Sequence, residues 1–409
     1  ECRCIMWPFL RRSLTPRRLS YAWLAGGALW LAWLLSIFLG QGQMDLAGQV
    51  VGTDYLQFYT AGYTVRTGQS VHLYDVAYQM QLEQAIAGPE LSSYHAFITP
   101  PFLAWLFVPF SLLPYGVSFA LWSGLGLAGL WAGIRLIGVL ERPNRAFLWA
   151  LTWFPVFAAI SYGQNALLTF FILSLTYWLW RKEKRFAAGL VCSLAMYKPQ
   201  LLIGVALLWL LSWRRDKNAL AGLALGSAGL ALLCFWLLPE ASWTYVDFSR
   251  TTLPDLPNWK DFPLWHLHTV RGFWRLLLPG YPIVADGAWL LLSAVGVAAF
   301  VRFWWRWQGR AELSFAAAVC LSLWVTPHAM IYDWALLLIP ALLLWMGGPP
   351  PRIDWQILFA IVWVAAFLSD PLAFLQYQAW RWAFQASVPV LGWVLYRAYR
   401  WLMASDLVA

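Results

Sequence analysis

Charge is what this chain has least of: Asp, Glu, Lys and Arg make up 11% of its 409 residues, against about 25% in ordinary soluble domains. So few polar groups cannot cover the surface of a water-soluble fold. Metal-ligand patterns are missing as well. There is no His-x-x-x-His, no Asp-x-Asp and no carboxylate cluster at regular ligand spacing, so no metal cofactor is expected. The glycine patterns of Walker and dinucleotide sites are also absent, which makes ATP or a nucleotide-linked substrate a poor fit. Of the five cysteines, Cys2, Cys4, Cys192, Cys234 and Cys320, only Cys2-Arg3-Cys4 is closely spaced. That spacing is too tight for an ordinary disulfide or a zinc knuckle, and the cysteines receive no role. No repeat of fixed period and no low-complexity tract is present.

What the chain does have is apolar surface. Hydrophobic residues reach 61%, and there are 31 tryptophans, many near the ends of apolar runs, where an indole can straddle a membrane interface. Lipid is the solvent that suits such a composition, because a helix satisfies its backbone internally while its side chains face outward. The fold class read here is all-α: a polytopic transmembrane protein forming one integral membrane domain over residues 1–409. The net charge of +9 comes in short basic clusters between apolar segments, which is an orientation signal and not a nucleic-acid surface.

Runs long enough to cross a hydrocarbon core of about 30 Å are expected near 22–39, 116–138, 147–160, 163–180, 186–197, 199–213, 218–238, 283–303, 311–325, 330–347, 355–369 and 380–400, twelve in all. An uncleaved anchor fits the first run better than a signal peptide, since no small-residue cleavage site follows it. A thirteenth apolar stretch, residues 102–113, lies between Pro100-Pro101 and Pro114. If it does not cross, 21 of the 28 basic residues fall on one side, among them Arg11, Arg12, Arg17, Arg18 and the RKEKR run at 181–185. If it does cross, the inside count drops to about 11, against the positive-inside rule. The stretch is therefore read as a re-entrant or interfacial helix on the outer side, with both termini cytoplasmic. Two extracytoplasmic loops follow, at 40–114 with its interfacial helices and at 239–282.

Polar groups at membrane depth or just beyond it carry the functional signal, because each needs a partner or a task there. Asp54 stands in Gly52-Thr-Asp54-Tyr, where a carboxylate can act as general base for a hydroxyl or simply cap the helix that follows. Lys198, in Tyr-Lys198-Pro199-Gln200, interrupts an apolar run too long for one crossing and about right for two short ones. Its ammonium suits a lipid phosphate, or else snorkels to the interface. Gly163-Gln164-Asn165 offers amides to polyol hydroxyls or to its own turn. Thr326-Pro327-His328 with Tyr332-Asp333 brings an imidazole near a carboxylate, as a shared site or as a structural hydrogen bond.

In this order, these segments resemble glycosyltransferase family 87 of the GT-C superfamily, whose members use polyprenyl-phosphate sugars. The likeness runs through Gly52-Thr-Asp54, Tyr59, Gly62, Gly68, Leu73-Tyr74-Asp75, Thr99-Pro100-Pro101-Phe102, Pro109 to Pro114, Gly163-Gln164-Asn165, Ala188-Gly189, Lys198-Pro199-Gln200 and Thr326-Pro327-His328. Thr99 stands where the family usually has an aromatic, and Thr326 where it often has Ser. The resemblance implies inverting transfer of a sugar, mannose first and arabinofuranose next, from a polyprenyl-phosphate donor to a hydroxyl of a glycolipid or glycan. It implies a bacterial cytoplasmic (inner) membrane setting, an extracytoplasmic active site, membrane lipids as surroundings, no nucleic acid and no cofactor. Asp54 would be the base and Lys198 the phosphate partner, with Tyr59, Gln164, Asn165, Gln200 and His328 binding substrate. The competing expectations are a transporter or flippase of lipid-linked sugars, which would want polar residues along several spans, and a non-catalytic scaffold.

Overall fold

A computed structural model of the chain describes residues 8, 10–138, 142–259, 262–347 and 352–405. Cys2 and Cys4 lie outside the described residues, as do Lys260 and Asp261 of the segment 239–282. Among the described residues the secondary structure is helical, with only isolated bridges, Gln41 to Met44, Met44 to Val50 and Leu267 to Met330, in place of strands.

Five of the described helices are long and apolar enough to cross a bilayer: Arg17–Leu39, Tyr115–Ile137, Trp213–Leu237, Pro282–Trp307 and Arg352–Trp380. Five of the twelve expected runs thus fold as long spanning helices. The remaining apolar runs fold as shorter helices, Ala166–Arg181, Arg185–Ser193, Ile203–Leu211, Ala311–Val325, Leu338–Gly347 and Ser387–Ala404. The run expected at 147–160 breaks at Thr152-Trp153 into Pro143–Leu151 and Phe154–Ser161. Conversely, the run expected to end at 369 continues as one helix to Trp380, through Pro371.

Burial explains which helices are long and which are short. In the most apolar windows of Arg17–Leu39, Trp213–Leu237 and Pro282–Trp307, 6%, 11% and 11% of residues are buried, so these helices face outward and need lipid along their whole length. Phe38, Leu232, Trp236 and Ile283 are among their exposed side chains. By contrast, every residue of Phe154–Ser161 except Phe154 is buried, and so is most of Ala311–Val325. A helix enclosed by other helices can stop and turn at membrane depth, because protein satisfies its freed backbone groups. Many tryptophans also go inside, with Trp180, Trp209, Trp307, Trp334 and Trp355 fully buried.

Close backbone approach tightens the bundle. A methyl on Gly189 would meet the Ala219 carbonyl, and one on Gly222 the Phe186 carbonyl, so Arg185–Ser193 and Trp213–Leu237 cross through reciprocal small residues. At one end of this crossing Asp216 is fully buried. It accepts from Trp180 Nε1 at 3.0 Å and pairs with Arg185 at 3.3 Å.

The segment between Arg17–Leu39 and Tyr115–Ile137 is itself helical, with Tyr55–Arg66 and Val76–Ala87. Residues 102–113 form the seven-residue helix Pro101–Phe107 and a single 3₁₀ turn, Phe110–Leu112. Seven residues rise about 10 Å, a third of the core thickness, so this segment does not cross as a helix. It packs instead against Tyr55–Arg66, where Phe58 stacks on Phe107 at 5.0 Å and a methyl on Gly62 would meet the Phe107 carbonyl.

Candidate active site

Two tight turns place Asp54. Gly52 has φ +69 and Gly163 has φ +68, and a methyl on either would run into a neighbouring ring, Phe119 for Gly52 and Tyr55 for Gly163. Only glycine fits both the left-handed backbone and the space. With both in place, the Tyr55 amide donates to the Tyr162 carbonyl at 2.9 Å, and Trp122 Nε1 donates to the Gly163 carbonyl at 2.9 Å. Gln164 Nε2 then reaches Asp54 Oδ2 at 2.8 Å. Asp54 occupies the N-cap position of Tyr55–Arg66, yet its side chain makes no capping bond. The carboxylate is therefore not committed to its own helix, which removes the capping alternative.

Asn165, next to Gln164, is fully buried, and neither its Oδ1 nor its Nδ2 has a partner among the described residues. A buried amide in that condition costs about 1–3 kcal/mol. Tyr59 faces elsewhere: it is buried and its hydroxyl donates to the Leu113 carbonyl at 2.8 Å, which ties the loop to the start of Tyr115–Ile137.

Lys198 follows the end of Arg185–Ser193, where Pro199 opens the turn Pro199–Leu202 before Ile203–Leu211. It does not snorkel. Its side chain is 11% exposed and Nζ donates to Asp333 Oδ1 at 2.7 Å. Asp333 Oδ2 in turn accepts the Met330 amide at 3.1 Å, so both carboxylate oxygens are engaged. Asp333 thus bonds Lys198, and of the two alternatives the sequence left open, the direct hydrogen bond between Asp333 and the His328 ring is not made among the described residues. Gln200 Nε2 donates to the His328 carbonyl at 3.3 Å, and Thr326 Oγ1 donates to the same carbonyl at 3.0 Å. Burial and the cations Lys198 and Arg271 push the His328 imidazole down to about 4, with Asp333 opposing them. This ring is neutral at physiological pH.

Aromatic rings join the two halves. Lys198 Nζ lies 4.9 Å from the Tyr332 ring centre, close enough for a cation–π contact, and Tyr332 meets Tyr162 edge-on at 6.2 Å. Both phenols lie within the electrostatic reach of Asp54. The structure thus brings Asp54, Gln164, Lys198, Gln200 and His328 to one neighbourhood, with Asn165 beneath it and Tyr59 turned away. A cleft of about 470 Å³ elsewhere is lined by Ser212, Arg214, Arg215 and Trp304 among others and includes none of these residues. Among the described residues no group of three or more His, Cys, Asp or Glu could hold a metal ion.

Sequence reasoning overlooked Asp370, which binds His266 and His268, and Asp286, which holds Arg271 and Arg275. A signal was present for the first, since an acidic residue followed by proline inside an apolar run needs a reason to be there.

A carboxylate, a lysine and neutral hydrogen-bonding groups gathered among broken helices of an apolar bundle define a polytopic membrane protein with a built polar site. The chain belongs to glycosyltransferase family 87, whose model matches residues 97–340, and it is a membrane glycosyltransferase. The matched segment contains Gln164, Asn165, Lys198, Gln200, His328 and Asp333 and begins after Asp54 and Tyr59. No curated protein and no solved structure matches the chain.

Proposed function

We propose that this glycosyltransferase moves a sugar, mannose first and arabinofuranose next, from a polyprenyl-phosphate donor to a hydroxyl of a glycolipid or glycan acceptor, with inversion. Asp54 takes the proton of the attacking hydroxyl, and Lys198 stabilises the departing phosphate. The observation that carries this reading is the Asp54 carboxylate, free of its helix and held on one oxygen by Gln164, in the neighbourhood of a buried ammonium. A base needs an open oxygen at hydrogen-bond reach of its proton. A leaving phosphate needs a fixed cation in a partly dry site, where the attraction is strongest. Gln200 and His328 support the lysine side, and Asn165 lines the amide turn.

In this reading the site faces outward from a bacterial cytoplasmic membrane, both termini are cytoplasmic, and the shorter apolar helices complete about twelve crossings. The short Pro101–Phe107 helix supports that topology, because a non-crossing segment keeps the basic clusters on one side.

The test is transfer by purified protein in proteoliposomes given decaprenyl-phosphate mannose or arabinofuranose and an octyl glycoside acceptor. Product formed by the wild type and lost in Asp54→Asn supports the reading. Labelled donor lipid that moves between leaflets without acceptor and without product would favour a flippase instead.

A further inference from the structure

Asp370 sits inside the Arg352–Trp380 helix, one residue before Pro371, with its side chain 8% exposed. Ionisable groups in such a helix are costly and persist where they are partnered or used. Two imidazoles partner this one. His266 Nδ1 lies 2.6 Å from Asp370 Oδ1, and His268 Nε2 lies 3.2 Å from the same oxygen. His268 Nδ1 is 2.8 Å from Ser387 Oγ.

Hydrogen-bonding capacity assigns the protons. An ionised carboxylate only accepts, so the imidazole nitrogens that face it carry N–H. Burial lowers the pKa of His268, which keeps this ring neutral. Its Nδ1 is then a lone pair that accepts the Ser387 hydroxyl, and both its nitrogens are used. His266 differs. Its Nδ1–H is given to Asp370, its side chain is 24% exposed, and its Nε2 has no partner among the described residues. A carboxylate that fixes the tautomer and aim of an imidazole leaves the far nitrogen as an oriented acceptor.

The loop that carries His266 is held from several directions. Gln385 Nε2 donates to the Trp265 carbonyl at 2.8 Å, and Trp334 Nε1 donates to the His268 carbonyl at 3.0 Å. The His266 ring meets Tyr162 at 5.7 Å and Trp265 at 5.8 Å. Tyr162 is the ring that contacts Tyr332, on which Lys198 rests, so two tyrosine rings connect His266 to the lysine side of the site. The Asp370 carboxylate behind the ring presents negative potential, which disfavours phosphate and favours hydroxyl donors. The flanking rings give apolar walls of the kind that line small-molecule sites.

We propose that His266, oriented by Asp370, is a sugar-binding residue whose Nε2 accepts a hydrogen bond from a sugar hydroxyl, while phosphate is held on the Lys198 side. The choice of ligand rests on the transferase reading. Asp370 is the positioning residue.

The full chain, labelled with ¹⁵N-histidine in nanodiscs, is titrated with octyl mannoside, octyl arabinofuranoside and, separately, decaprenyl phosphate. The His266 signals are assigned by their loss in His266→Gln. We expect a saturable shift of the His266 Nε2 resonance with at least one glycoside and none with the phosphate lipid. In Asp370→Asn the carboxamide can donate to Nδ1, so Nε2 becomes the protonated nitrogen and glycoside binding weakens at least tenfold. No shift with either glycoside, or an equal shift with the phosphate lipid, overturns the proposal. Transfer is assayed on the same samples. A glycoside shift without transfer by the wild type would sink the proposed polyprenyl-phosphate transfer and leave His266 as a sugar ligand, whereas transfer without a shift would do the reverse.

Discussion

Gln164 Nε2 donates to Asp54 Oδ2 across 2.8 Å and joins two turns 110 residues apart in the chain. The amide restrains the carboxylate through one oxygen, and the other has no partner among the described residues. Since Asp54 does not cap its helix, removing its charge has little effect on the fold. Asp54→Asn is expected to lower turnover by roughly 10²–10⁴-fold, the usual worth of a general base, with an unfolding midpoint close to wild type. Gln164→Ala, which frees the carboxylate without deleting it, is expected to cost up to about 10²-fold, the scale of a reacting group misplaced by about 1 Å. Turnover and thermal unfolding measured on the same preparations check both.

Lys198 and Asp333 depend on each other. Each is nearly enclosed, at 11% and 3% exposure, and deleting one leaves a buried charge alone, at a cost of about 3–5 kcal/mol. Lys198→Met is therefore expected to unfold at markedly lower temperature. The double variant Lys198→Met with Asp333→Leu is expected to recover most of that loss, because no charge is stranded, while remaining inactive. Recovery of transfer in the double variant would remove Lys198 from the chemistry and leave it a structural role.

Gly163 is the hinge on which the amide turn reaches the carboxylate. A methyl there faces Tyr55 in a backbone conformation that L residues avoid, a strain of about 1–3 kcal/mol. Gly163→Ala is expected to lose both stability and transfer, since Gln164 moves off Asp54. Gly229→Ala is the control: it lies in the Trp213–Leu237 helix with nothing near the added methyl, and alanine there is expected to be neutral or to stabilise by about 0.5–1 kcal/mol.

How far these relationships could be read beforehand differs from residue to residue. Apolar runs of Leu and Trp identify helices and membrane, since period and composition are local properties. Asp54, Gln164, Lys198 and His328 stood out because polar residues are rare here and each interrupts an apolar context. Their partners did not. Whether Asp333 turns to His328, five residues away, or to Lys198, 135 residues away, depends on how the Ala311–Val325 helix packs on Ile203–Leu211. There a methyl on Gly204 would meet the Ala318 carbonyl, a contact that no local pattern encodes. The short run at 311–325 was legible and folds as Ala311–Val325, whereas the break at Thr152-Trp153 inside 147–160 was not. Protein surrounds Phe154–Ser161 and satisfies the backbone groups that the break frees, which no local pattern encodes.

The same enclosure makes a pH experiment informative. Burial and the nearby cations hold His328 at about 4, against an ordinary 6.5, so between those values the unfolded chain binds a proton that the folded chain refuses. Stability must then rise with pH across that window. Acidifying from pH 7 is expected to lower the unfolding midpoint progressively from about 6.5 and to level off below about 4, as far as His328 contributes. His268 is depressed by burial in the same sense, so His328→Gln is expected to reduce the slope without abolishing it. Asp333→Asn removes the one neighbouring charge that favours the imidazolium and is expected to extend the slope to lower pH. Thermal unfolding at half-unit pH steps separates these cases: an unchanged slope in His328→Gln would mean that the imidazole is solvated in the folded protein and free to titrate during turnover.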